Sequence, residues 1–70
     1  MIKIEQLLPL LKKGYVAMDY NNDWYFYEKE PELRIGSWAV KSSTAVFLSD
    51  AFDIEPAKDW TKSLMRCGDD

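Results

Sequence analysis

An α+β domain is what this sequence predicts: an N-terminal helix packed on a small antiparallel sheet of three to five strands, with a short C-terminal helix as a further element. Three observations carry that expectation. Ile4, Leu7, Leu8 and Leu11 recur at the i, i+3, i+4, i+7 spacing that gathers apolar side chains on one helical face. Two runs rich in aromatic and β-branched residues, 15–20 and 23–27, flank Asn21-Asn22. A second pair of such runs, 37–41 and 44–48, flanks Ser42-Ser43 and reads as a second hairpin.

The first helix carries Lys12 and Lys13 where a helix C-terminus favours cations, and Gly14 follows as a stop. Pro9 removes a backbone hydrogen bond inside the stripe, so a kink or two short turns are expected rather than a straight rod. In the first hairpin, Asn21-Asn22 can form a two-residue type I′ loop, because asparagine tolerates positive φ. That register sets Tyr20 against Asp23, Met18 against Tyr25 and Val16 against Tyr27. A three-residue loop instead gathers Val16, Met18, Tyr20, Trp24 and Phe26 on one side, with Tyr25 and Tyr27 opposite. In either register a tyrosine-bearing face needs cover. Residues 28–36 are charged, contain Pro31 and end in Gly36, which predicts a surface loop. Residues 50–54 read as a short strand or an irregular crossing that ends at Pro56. Over 56–64, Ala57, Trp60 and Leu64 match a helical stripe, whereas Trp60, Lys62 and Leu64 fit strand alternation; a short helix is the preferred reading.

Composition narrows the function. Seventy residues make one domain, 1–70, near the lower size limit for an independent core, and such domains usually add disulfides, a metal or self-association. Cys67 is the only cysteine and the chain has no histidine, so an internal disulfide and a structural zinc site are excluded, and self-association remains. The apolar fraction of 47% predicts a folded chain, and the broken stretch 4–11 suits neither a signal peptide nor a membrane span. A cytoplasmic location follows as the expectation. Nine basic and twelve acidic residues give a net charge of −3 with the lysines scattered, which disfavours binding to nucleic acid.

No spacing points to catalysis. The acidic series Asp50, Asp53, Glu55 and Asp59 lacks the alternating oxygens and central glycine of a calcium loop, and capping or turn roles explain it better. With no histidine as base, an enzyme would have to use Lys, Tyr, Asp or Glu alone, for instance a carboxylate site at Asp50 and Asp53; we expect none, nor any catalytic residue, metal or cofactor. Aromatics make up 14% of the chain. Trp24, Phe26, Trp38 and Trp60 suit the core, whereas Tyr25, Tyr27 and Tyr20 suit a contact surface, because a tyrosine hydroxyl seeks water or a partner. Lys29 and Arg34, in the charged segment beside them, could hold a phosphate or carboxylate. These five are the candidate binding residues.

The segments Tyr15-Val16-Ala17-Met18-Asp19, Trp24-Tyr25-Phe26-Tyr27, Glu28-Lys29-Glu30-Pro31, Trp38, Asp53-Ile54 and Asp59-Trp60-Thr61-Lys62-Ser63-Leu64 resemble short uncharacterised proteins encoded by bacteriophages and prophages. In that group an N-G or D-G turn is common where this chain has Asn21-Asn22, and the last signature has lysine where Thr61 stands. The opening Leu10-Leu11-Lys12-Lys13-Gly14 followed by a strand and a tryptophan hairpin is similar, in architecture alone, to the phage Thoeris anti-defence family, small oligomers that sequester nucleotide immune signals. None of these elements is a functional motif. The small acidic fold, the surplus tyrosines and the lack of a catalytic set, taken with the resemblance, lead us to expect a non-enzymatic binding protein in the host cytoplasm. It would act in counter-defence on a host protein or assemble with a second copy, with an oligomer that holds a nucleotide ligand or a structural accessory domain as the alternatives.

Overall fold

A computed structural model of the chain describes residues 1–41 and 45–68. The N-terminal stripe forms two short turns: α1, Ile4–Leu7, and a 3₁₀ turn, Leu8–Leu10, with Pro9 at the change of winding. Gln6 closes the start of α1, its Oε1 accepting from the Lys3 N–H at 2.9 Å while its own N–H donates to the Lys3 carbonyl. Gly14 does not sit free after the helix but opens strand β1, Gly14–Met18. A Cβ there would lie 2.5 Å from the Tyr27 carbonyl oxygen and 2.8 Å from the Phe26 ring, so the position requires glycine.

β1 pairs antiparallel with β2, Trp24–Tyr27, in the register Tyr15–Tyr27, Val16–Phe26, Ala17–Tyr25 and Met18–Trp24. The two-residue loop is therefore corrected to the three-residue one. The Asp19 N–H donates to the Asp23 carbonyl at 2.9 Å, the Asn22 N–H donates to the Asp19 carbonyl at 3.0 Å, and Asn22 takes a left-handed φ of 71°. This is the tight turn plus bulge in which one left-handed residue suffices, and asparagine supplies it.

Segment 28–36 is not a plain loop. Glu32–Arg34 forms β3 and pairs with β4, Ser37–Ala39, through the Ile35-Gly36 turn, where Gly36 adopts φ 83°. The second hairpin thus lies one strand earlier than the sequence reading placed it; the proposed Ser42-Ser43 turn lies outside the described residues. Strand β5, Ala45–Phe47, instead joins the other side of β2. Residues 50–54 are likewise not a strand. Leu48–Ala51 forms α2, and Ile54 makes a single parallel bridge to Ile2. The tail contains a 3₁₀ turn, Trp60–Lys62, within the segment read as a short helix, and then β6, Met65–Cys67, which pairs with β1.

The main sheet therefore runs β5-β2-β1-β6, with β3-β4 as a separate ribbon. Its core face presents Val16, Met18, Trp24, Phe26 and Cys67 to Ile4, Leu7, Leu48 and Ile54. Trp24 and Val16 are wholly buried there. Trp38 and Trp60 are half-buried, and the Trp38 Nε1–H donates to the Trp60 carbonyl at 3.1 Å.

Candidate functional site

Strand parity decides which side chains share the outer face of the main sheet: Tyr15 and Ala17 on β1, Tyr25 and Tyr27 on β2, Ala45 and Phe47 on β5, Arg66 on β6. The β3-β4 ribbon lies over part of this face. The Trp38 N–H donates to Asp19 Oδ1 at 3.0 Å, and the Tyr27 hydroxyl donates to the Trp38 carbonyl at 3.5 Å. Ala17 is buried beneath this cover, and Tyr27 is only 3% exposed. Burial, then the charges of Asp19 and Tyr25, push the Tyr27 phenol up to about 12.

Tyr25 remains half-exposed. Its ring stacks on Phe47 at a centroid distance of 5.2 Å and an interplanar angle of 23°, and lies 6.4 Å from the Tyr27 ring. Its phenol is also raised, first by desolvation and then by Asp19 and Asp23. Parity thus brings Tyr25 and Tyr27 together, but the ribbon leaves only Tyr25 accessible between them.

Tyr20 stands elsewhere, in the β1–β2 turn, 67% exposed. Its ring lies beside the β3–β4 turn, 3.9 Å from where a Cβ on Gly36 would stand. The adjoining Ile35 is fully exposed and Leu33, on β3, about half exposed; these three exposed side chains, at and beside the two hairpin turns, are the apolar crown. Arg34 is held by Glu32, Nη2 to Oε2 at 3.1 Å, both in solvent.

Lys29 does not join Arg34. It lines a cleft of about 350 Å³ with Lys13, Tyr15, Glu28, Glu30 and Arg66, floored by the backbone around Gly14, Cys67 and Gly68. Arg66 was not among the residues the sequence marked. It reaches this cleft because β6 places it opposite Tyr15, a pairing between segments some fifty residues apart that no local pattern signals.

The carboxylates of the 50–59 region take separate places. Asp53 is 3.9 Å from the N-terminal ammonium. Asp59 caps the 3₁₀ turn, its Oδ1 accepting from the Thr61 hydroxyl at 2.6 Å and the Thr61 N–H at 3.0 Å; those bonds hold its carboxyl below the usual range. Among the described residues no group of three or more potential metal-ligating side chains comes together, and no helix is long and apolar enough to cross a membrane.

No protein-family model, curated protein or solved structure matches the chain. The α+β architecture, helix on antiparallel sheet, rests on the geometry above.

Proposed function

We propose that the chain is a phage-type, non-enzymatic binding protein that holds a host protein in a stoichiometric complex in the host cytoplasm, in the service of counter-defence. The observation that carries this reading is the apolar crown of Tyr20, Leu33 and Ile35. A tyrosine and two large aliphatic side chains left in water at and beside the two hairpin turns lose apolar hydration when a partner covers them, and tyrosine is a frequent centre of such contacts. The Glu32–Arg34 pair supplies a polar rim beside them.

The test compares the wild-type chain with Tyr20→Ala/Ile35→Ser, both immobilised and exposed to lysate of a bacterial host, alongside phage growth on defended cells. The expected result is a protein retained by the wild type and lost by the double variant at unchanged melting temperature, with loss of the growth advantage. No retained protein and no growth effect would remove the reading.

A second reading, a binder of nucleotide signals, is favoured by the cleft that Tyr15, Lys29 and Arg66 line together. It predicts a rise in melting temperature with cyclic nucleotides or ADP-ribose derivatives that Arg66→Gln diminishes; a flat screen counts against it.

A further inference from the structure

The two edges of the main sheet differ. At β6 the N-terminal segment closes the edge: the Gly68 N–H donates to the Leu8 carbonyl at 3.3 Å, and the Cys67 thiol donates to the Lys12 carbonyl at 3.4 Å. At β5, among the described residues, no strand lies beyond Ala45–Phe47. Edge strands are usually protected by a charge, a proline or a bulge, and this one has none of these: its three residues are Ala, Val and Phe, all exposed.

Hydrogen-bond parity shows what the edge offers. Asp19 and Asp23 form a bonded rung of the first hairpin, so Met18–Trp24 and Val16–Phe26 are non-bonded rungs there, and Phe26 turns its main-chain groups towards β5. Val46, opposite Phe26, answers them. The main-chain groups of Ala45 and Phe47 consequently point away from the sheet, save that the Phe47 carbonyl caps α2.

We propose that β5 is the seam of a two-fold homodimer, in which antiparallel pairing of β5 with its copy centres on Val46 and joins two four-stranded sheets into one of eight. The strand is complementary to itself in that register. Val46 meets Val46 across the axis as a non-bonded rung, the rung type with the closer side chains. Ala45 meets Phe47 on each side, so a small residue always faces a large one and no charge faces its like. Each Phe47 N–H reaches the Ala45 carbonyl of the other copy. On the outer face the added strand sets the Ala45 methyl of the copy beside the Phe47 ring that stacks on Tyr25; on the core face it covers Val46, 51% exposed, beside a largely apolar groove of about 220 Å³ lined by Leu11, Lys12, Phe26, Glu28 and Leu48. Three residues per strand make a small interface, below the ~1,200 Å² of firmly bound complexes, so the dimer is weak and concentration-dependent. The seam does not use the apolar crown, so this inference stands apart from the proposed function.

Sedimentation velocity from about 1 μM to about 1 mM would show a monomer–dimer equilibrium, and Val46→Lys, which sets two ammonium groups face to face, would leave a monomer with unchanged circular dichroism. In a Cys67→Ser background, Val46→Cys would place two thiols across the axis within disulfide reach, ~4.5 Å between Cα atoms, and mild oxidation would give a covalent dimer. A wild type that stays monomeric throughout, a dimer that survives Val46→Lys, or a Val46→Cys protein that does not crosslink would each overturn the proposal. Should Val46→Lys unfold the chain, the crosslink decides. A monomer whose β5 pairs instead with a strand of another protein also overturns it.

Discussion

Met18 and Trp24 face each other across the end of the β1–β2 ladder with their N–H groups turned away from one another, and each meets a serine oxygen at 2.8 Å: Ser63 Oγ for Met18, Ser49 Oγ for Trp24. β6 and β5 have both ended by this level, so the hydroxyls replace the missing strand partners. Ser63, 1% exposed, also directs its hydroxyl at the Trp60 and Met18 carbonyls. Ser63→Ala leaves a buried N–H without an acceptor, and the expected loss, read from urea unfolding, is roughly 1–3 kcal/mol. A loss below a few tenths would show that water takes the place of the hydroxyl. Tyr27 gives a pH dependence. Its folded value of about 12 exceeds the unfolded value near 10, so its contribution is fully present below pH 10 and is lost as pH rises towards 12. The unfolded phenol ionises first, which draws the chain towards the unfolded state. Tyr25 and the buried Cys67 thiol, both raised by desolvation, act in the same direction. Melting temperatures followed from pH 8 to 12 should fall, and Tyr27→Phe should flatten part of that fall.

At the scale of elements, the turn chemistry sets the face of every aromatic in the first hairpin. A two-residue loop would have slipped the register by one and turned Trp24 out of the core. The bulged turn needs one left-handed residue, and Asn22 fills it at φ 71°. Asn22→Gly should raise stability by a few tenths to about 1 kcal/mol, because glycine enters that conformation without a Cβ clash, and Asn22→Val should lower it by about 1–2 kcal/mol. Equal midpoints for the two variants in denaturant would contradict the assignment. The first turns were legible because the 4–11 stripe and Pro9 act within a few residues. The partners of β5 and β6 were not: Ala45–Phe47 has a strand's composition, yet nothing local says whether it pairs with β4 or with β2. For β6 the alternation was too short to mark a strand, and Cys67 is buried only because β1 and the N-terminal segment lie on either side of it.

For the whole molecule, the core is small enough that one ring decides whether it exists. Trp24 is wholly buried, and its indole N–H donates to the Glu55 carbonyl at 3.2 Å, tying the sheet to the crossing that leads to the tail. Trp24→Ala should cost ~3–5 kcal/mol, comparable with the entire stability of a domain this size, so the expected outcome is loss of near-ultraviolet circular dichroism and of cooperative melting. A variant that still melts cooperatively near the wild-type temperature would show that the core does not depend on this ring. Of the candidate surface, the sequence already placed Tyr25 and Tyr27 side by side, since strand alternation fixes their shared face whatever the neighbours do. That Tyr27 is roofed by the β3-β4 ribbon, that Tyr20 lies beside Gly36, and that Lys29 shares a cleft with Arg66 were settled by the tertiary structure alone. Periodicity records which way a side chain points from its own element. What lies opposite it depends on loop closures between distant segments, and their outcome turns on which sheet edges and faces remain open.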